Sequence, residues 1–316
     1  MSCSRCQTFE IPASGTIEYQ YIVVPSGLTE DKWVQFAEAR PGNRALTHHI
    51  IAFVREPESK WLKDAKPGVP FVPVKKKDSD KDKAKDKDKD GDDDDDGGQM
   101  GEFLAGYAPG TLPETLAPGQ AKLVKAHSDI VFQMHYTANG KAGTDRSKVG
   151  LVFATEPPKE RVFTLAAGNG KIKIPPGDPN YKADSEFEMG TQVKLVGLLP
   201  HMHLRGKDFE YRVVYPTGET ETILSVPHYS FSWQLSYYLD KPMFLPKGTT
   251  IECTAHYDNS ANNPANPDPA KEVHYGEQSW DEMMFGFFDV SVPMNTNPMD
   301  LMRPKKKAPD TSANER

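Results

Sequence analysis

Apolar and polar residues alternate with a period of two along most of this chain, in short runs closed by proline and glycine. A two-residue period places successive side chains on opposite faces, which is the pattern of strands with one face buried. The clearest runs predict strands over 16–24, 47–54, 130–137, 149–154, 192–199, 209–215, 250–257 and 283–290. No stretch keeps a 3.6-residue period long enough to make an amphipathic helix of useful length. Spaced strands with turn residues between them predict an all-β chain built as two tandem antiparallel β-sandwich domains of jelly-roll-like form.

Two interruptions divide the pattern. Over 75–98 lysine and aspartate alternate and then give way to Asp92–Asp96, a composition with nothing to bury, so a disordered insertion is expected there. Asp86, Asp88, Asp90 and Gly91 match the opening of a calcium loop, but Gly97 falls where its bidentate glutamate is needed. The second break, 155–161 with Pro157 and Pro158, lies close to halfway through the rest of the chain. The expected organisation is a disordered N-terminus over 1–8, an N-terminal sandwich over 9–156, a C-terminal sandwich over 157–293 and a disordered tail over 294–316.

Length and charge bound the function classes. At 316 residues the chain exceeds one sandwich-sized core, which is the prior for two domains. A net charge of -7 without a visible basic face argues against nucleic acid as a partner. No run approaches the roughly 20 apolar residues of a membrane helix, so no membrane span is expected. The N-terminus lacks a basic segment followed by an apolar core, so no signal peptide is read in the chain. Three cysteines allow at most one disulfide; Cys3 and Cys6 have the spacing of a redox or metal pair, but Gln7 stands where a haem-attachment motif carries histidine. Trp233 and Trp280 read as core side chains.

The nine histidines are not evenly scattered. His48 and His49 are adjacent at the start of an apolar strand, and strand neighbours point to opposite faces. Two such imidazoles reach one metal only from widely separated directions, a T-shaped or near-linear arrangement that suits Cu(I). His135 closes another strand and supplies a third imidazole if that strand lies near the first. In Pro200-His201-Met202-His203 the two histidines are spaced i and i+2, which puts them on one face of a strand where their ring nitrogens converge. Met283, in Asp281-Glu282-Met283, adds a thioether, a soft donor that selects copper over zinc or iron. Taken singly, each of these groups also reads as ordinary polar or core decoration of a metal-free binding module.

Taken together, the groups resemble the copper type II, ascorbate-dependent monooxygenases, the family of peptidylglycine α-hydroxylating monooxygenase and dopamine β-monooxygenase, and most closely its bacterial members. The resemblance spans about 9–289 apart from the charged insertion. It implies one copper on His48, His49 and His135, with Gln133 beside it, and a second on His201, His203 and Met283, with His274 near it. It implies two copper ions per chain, ascorbate or another electron donor, and a small-molecule substrate whose C–H bond is hydroxylated with O2 at the methionine site. It also implies an extracytoplasmic location, periplasmic or secreted, and an electron-transfer partner, because bacterial members often carry such a segment upstream. The alternative kept beside the enzyme is a non-catalytic copper-binding or electron-transfer module.

Three positions depart from the peptide-amidating members. These place an arginine two residues before the H-x-H, and an asparagine and a tyrosine two and four residues after the methionine, to hold a terminal carboxylate. Here the positions are Leu199, Phe285 and Phe287. The substitution removes a carboxylate clamp, so peptide amidation is not expected and an apolar or aromatic substrate region is.

Overall fold

The computed structural model describes residues 2–73 and 101–302; Met1, the charged insertion over 75–98 and the tail beyond 302 lie outside the described residues. The chain is all-β, with no α-helix among those residues. The N-terminal half carries β1 (Ser2–Arg5), β2 (Phe9–Ile11), β3 (Gln20–Pro25), β4 (Lys32–Arg40), β5 (Thr47–Arg55), β6 (Glu102–Tyr107), β7 (Glu114–Thr115), β8 (Gln120–Val124), β9 (Asp129–Tyr136), β10 (Gly143–Asp145) and β11 (Lys148–Phe153). The C-terminal half carries β12 (Glu160–Gly168), β13 (Lys173–Ile174), β14 (Tyr181–Glu188), β15 (Val193–Met202), β16 (Gly206–Val214), β17 (Thr220–Val226), β18 (Tyr237–Leu245), β19 (Thr250–Tyr257), β20 (Val273–His274) and β21 (Met284–Pro293).

Each half packs two sheets over its own core. In the first, β3-β9-β5-β6 faces β4, β8 and β11, and Ile22, Val34, Ile50, Leu104, Phe132 and Val149 fill the space between. In the second, β14-β19-β16-β17 faces β12, β21 and β15, around Leu195, Phe209, Tyr211, Ile251 and Phe288. The eight strands expected from alternation all occur, with boundaries shifted by a few residues. Strands such as β4, β8, β12 and β14 were not foreseen. Their apolar positions are diluted by charged residues that the sheets accommodate on outer faces, as in the alternating burial of Tyr181–Glu188.

The halves are not separate beads. One sheet runs through both, in the order β1-β11-β4-β8-β12-β21-β15-β18, and its seam is a short parallel pairing of Glu160 with Gln120 and Arg161 with Ala121. Arg161 crosses the junction to Glu102 at 2.6 Å, and Gln120 donates to Glu160 at 3.0 Å.

Both ends of the described chain are more ordered than composition suggested. Over 2–5 the chain is a strand paired to β11, and Cys6 is buried with its thiol donating to the Ser147 carbonyl at 3.2 Å. Cys3 is exposed, so the two thiols do not act as a pair, and burial pushes the Cys6 thiol up to about 11. Over 294–302 a 3-10 turn, Pro298–Leu301, is capped by Asn297 and buries Leu301 in the second core. Backbone pairing and one well-placed leucine outweigh the polar composition of these segments.

Candidate metal centre

The first sandwich presents an unusual outer face. On β5 and β9, Ile50, Ala52, Phe132 and Met134 point into the core, so the alternate residues His49, Gln133 and His135 point outward. His49 and His135 are direct partners across the antiparallel ladder. By strict alternation His48 belongs on the core side. Instead the ladder shifts register between Thr47 and His49, leaving His48 as the extra residue of a β-bulge. The bulge turns His48 to the side of its neighbour, and the expected T-shaped or near-linear pair is replaced by a compact triangle.

In that triangle His48 Nδ1 lies 3.2 Å from His49 Nδ1, and His135 Nδ1 lies 3.4 Å from His49 Nδ1. Ring nitrogens of all three residues fall within 4.8 Å of one another. Donors bonded at roughly 2.0 Å to one ion and separated by 3.2 and 3.4 Å, as His49 is from His48 and His135, subtend about 105–115° at it. Burial, the largest cause, holds His48 down at about 4 and His135 at about 3, and His49 well below the ordinary range. Each ring is therefore neutral near pH 7, with a lone pair to give. Tyr19 closes the group edge-on, with ring centroids 5.4 Å from His49 and 4.7 Å from His135. Gln133 shares the face and donates its amide to the Tyr21 hydroxyl at 2.5 Å.

The second group comes from the end of β15. His201 occupies the outer face, opposite Phe285 of β21, while Met202 pairs with Met284 and points into the core. His203 follows immediately and is fully buried. His201 Nδ1 donates to Gln234 Oε1 at 2.8 Å, and His203 Nδ1 donates to the Asp281 carbonyl at 3.3 Å. Both tautomers are thereby set with the lone pair on Nε2. Among the described residues His203 Nε2 is buried without a hydrogen-bond partner. The β15–β21 ladder ends at Met202 and Met284, so His203 and buried Met283 each lie one residue beyond its last pair.

Glu282 ties this corner together. Its buried carboxylate accepts from the His203 amide at 2.9 Å and the Arg205 amide at 2.6 Å. Burial pushes that carboxyl up to about 8, against backbone donors and the Arg205 charge that pull it down. Arg205 is itself buried and reaches the Trp280 carbonyl and Asn259 Oδ1, each at 2.8 Å.

The two groups meet. The His49 and His201 ring centroids are 6.2 Å apart, across the junction of the two halves. Phe231, on the loop after β17, stacks on His48 at 4.2 Å and stands edge-on to His203 at 5.8 Å. The same loop supplies Gln234, whose backbone N–H donates to the Pro109 carbonyl of the first half. Trp233 of this loop is 61% exposed and lies over Gly110, and Trp280 is also exposed, contrary to the expected core placement of both.

His274 does not join the cluster. Its backbone carbonyl accepts from the Glu282 amide, but its ring is exposed and pairs with Glu272 at 3.0 Å. Position in the chain placed the residue near the methionine; the strand pairing of β20 turned its side chain to solvent. Tyr19, Phe231, Gln234 and Arg205 were not foreseen as neighbours of the site. Glu282 alone carried a signal, its place beside Met283.

The donor chemistry is compatible with copper: three converging imidazole nitrogens, then two more imidazoles whose Nδ1 atoms are engaged, in a corner that also holds buried Met283. Comparison with known proteins adds nothing to this chemistry. No family model matches the chain, and no curated protein matches it. Among solved structures, one of infectious bursal disease virus, Gx strain, matches with 9% identity and a TM-score of 0.24, over 95% of this chain and 73% of that one. PBCV-1 VP54, fitted into a reconstruction of the virophage Sputnik, matches with 8% identity and a TM-score of 0.28, over 94% and 97%.

Proposed function

We propose that this protein is a copper-dependent monooxygenase that hydroxylates a C–H bond of a small molecule, using O2 and ascorbate or a comparable electron donor. The observation that carries the reading is the meeting of five imidazoles from both sandwiches at one junction, with the methionine corner beside them. Copper bound there would supply the one-electron chemistry and the affinity for O2 that no side chain possesses.

The protein's own groups hold and shape that chemistry. His48, His49 and His135 would hold one ion, and His201, His203 and Met283 the other. Gln234 and the Asp281 carbonyl keep the second pair of rings in the tautomer that binds through Nε2. Glu282, accepting from the His203 and Arg205 backbone amides, holds the end of β15 against the segment that carries Met283. Phe287 and Phe285 stack at 5.4 Å beside His201 and, with Phe103 6.2 Å from Phe287, give the junction an apolar wall that excludes water. Such a wall suits an uncharged substrate surface and offers no clamp for a carboxylate.

The test is a Met283→Ile variant supplied with copper, reductant and O2. Product formation is expected to vanish while the three-histidine group still takes up one equivalent. Undiminished product would overturn the assignment of the methionine site. Uptake of two equivalents by the wild type without any substrate-dependent O2 consumption would favour a copper carrier.

A further inference from the structure

We propose that the first sandwich carries a separate anion site, which takes a small polyvalent phosphate-type ligand. It lies at the ends of β1, β11 and β4, where a cleft of about 330 Å³ is lined by Arg5, Arg40, Pro41, Gly42, Arg146 and Lys148. None of these residues belongs to the histidine groups.

The strand register makes the cleft electrostatically unusual. Arg5 is the direct partner of Lys148, and Lys148 is the direct partner of Arg40, so three cations stand in one row across three adjacent strands. Like charges placed directly opposite one another destabilise a sheet. Arg146 adds a fourth cation from the turn that leads into β11. This accumulation occurs in a chain of net charge -7.

The nearby carboxylates neutralise only one of the four cations. Glu38 is engaged with Arg40 alone, through contacts of 3.0 Å to Nε and 2.6 Å to Nη2. Asp145 adjoins Arg146 in sequence but is buried, and it spends its oxygens inward: it accepts from the Asn43 amide at 2.7 Å, the Ser147 hydroxyl at 2.7 Å and the Tyr136 hydroxyl at 3.1 Å. Among the described residues no carboxylate pairs with Arg5, Arg146 or Lys148.

The wall of the cleft is also close-packed. A Cβ on Gly42 would fall 2.7 Å from the Arg146 carbonyl oxygen, so the turn at Pro41 and Gly42 lies flush against the Arg146 backbone and limits its movement. Cations that approach from the ends of adjacent strands and from a turn match a ligand whose oxygens point in several directions. A tetrahedral phosphate has that geometry, whereas a planar carboxylate is satisfied by a single guanidinium fork. The volume stands at the lower end of the usual range for small-molecule pockets, which suits a compact ligand.

The experiment is isothermal titration of the full chain with inorganic pyrophosphate, inorganic phosphate and citrate at one fixed ionic strength. Wild type is compared with an Arg146→Ala/Lys148→Ala double variant and with Arg5→Ala. Saturable binding of one pyrophosphate is expected, tighter than that of phosphate or citrate, and at least tenfold weaker in the double variant. The altered side chains are exposed or half-buried, and an unchanged thermal midpoint verifies that the variants fold. Absence of saturation would overturn the proposal. So would equal affinity in the variants, which is also what chelation of bound metal by pyrophosphate would produce, and so would citrate binding as tight as that of pyrophosphate. The outcome is independent of whether the histidines hold copper.

Discussion

Glu282 accepts a hydrogen bond from the backbone amide of His203 at 2.9 Å, so one buried carboxylate joins the end of β15 to the segment that carries Met283. The same group accepts from the Arg205 amide at 2.6 Å. Replacing it with alanine orphans two buried donors and is expected to cost about 2–4 kcal/mol of stability. Glu282→Gln retains one acceptor oxygen and should recover part of that loss. Chemical denaturation of both variants measures the effect, and equal stability of wild type and Glu282→Ala would remove Glu282 from its tethering role.

Gln234 sets the tautomer of His201 from a loop 33 residues away in sequence. Gln234→Leu removes the acceptor and frees the imidazole to turn. A loss of roughly 10–100-fold in copper affinity at the second group is expected, in the range seen when an outer partner of a ligating histidine is removed. Competition with a chelator of known strength reads this directly. The three-histidine group should be little changed.

The bulge at His48 predicts a specific divergence between two variants. His135→Ala removes one corner of the triangle and should abolish uptake at the first group. Deleting His48 removes the extra residue, restores a regular ladder and leaves His49 opposite His135 as before. That deletion should fold with near-normal stability, yet bind copper only weakly through two imidazoles. Metal content per chain and a thermal scan together test the pair.

In the metal-free protein, His48 at about 4 and His135 at about 3 lie below the ordinary histidine value near 6.5. Between those values the unfolded chain binds more protons than the folded one, so stability falls as pH drops from about 6.5 toward 4 and is fully present above 6.5. A His135→Gln variant should show a shallower decline over the same window. Thermal midpoints recorded every half unit of pH in the presence of chelator check the slope. Identical slopes would contradict the burial of a neutral ring.

Gly286 of β21 lies under β19, where a Cβ would collide with Cys253 Sγ and stand 3.0 Å from the Tyr211 ring. Both neighbours are fully enclosed in the second core. Gly286→Ala is therefore expected to destabilise by about 1–3 kcal/mol through overpacking. The denaturation midpoint measures it.

Much of the site was legible before any tertiary information, because ligand chemistry and local spacing are written in adjacent residues. His48, His49, His135, His201 and His203 were all grouped from sequence, and the structure brings all five to one junction. His274, which the family resemblance set near the methionine site, faces solvent. The difference is physical: strand alternation states which side a residue takes relative to its neighbours, but not which side another element will cover.

The amino-acid sequence by itself determined that the chain is all-β and where eight of its strands run, since a period of two follows from local backbone sterics. It also singled out the five imidazoles that the structure gathers at the junction. The tertiary structure decided how those donors meet. Only long-range pairing sets a bulge at His48, carries one sheet from β8 into β12, and lays the loop of Phe231 and Gln234 across the first half. Those arrangements depend on the register of strands distant in the chain, and register energy is a property of the packed faces rather than of any single segment.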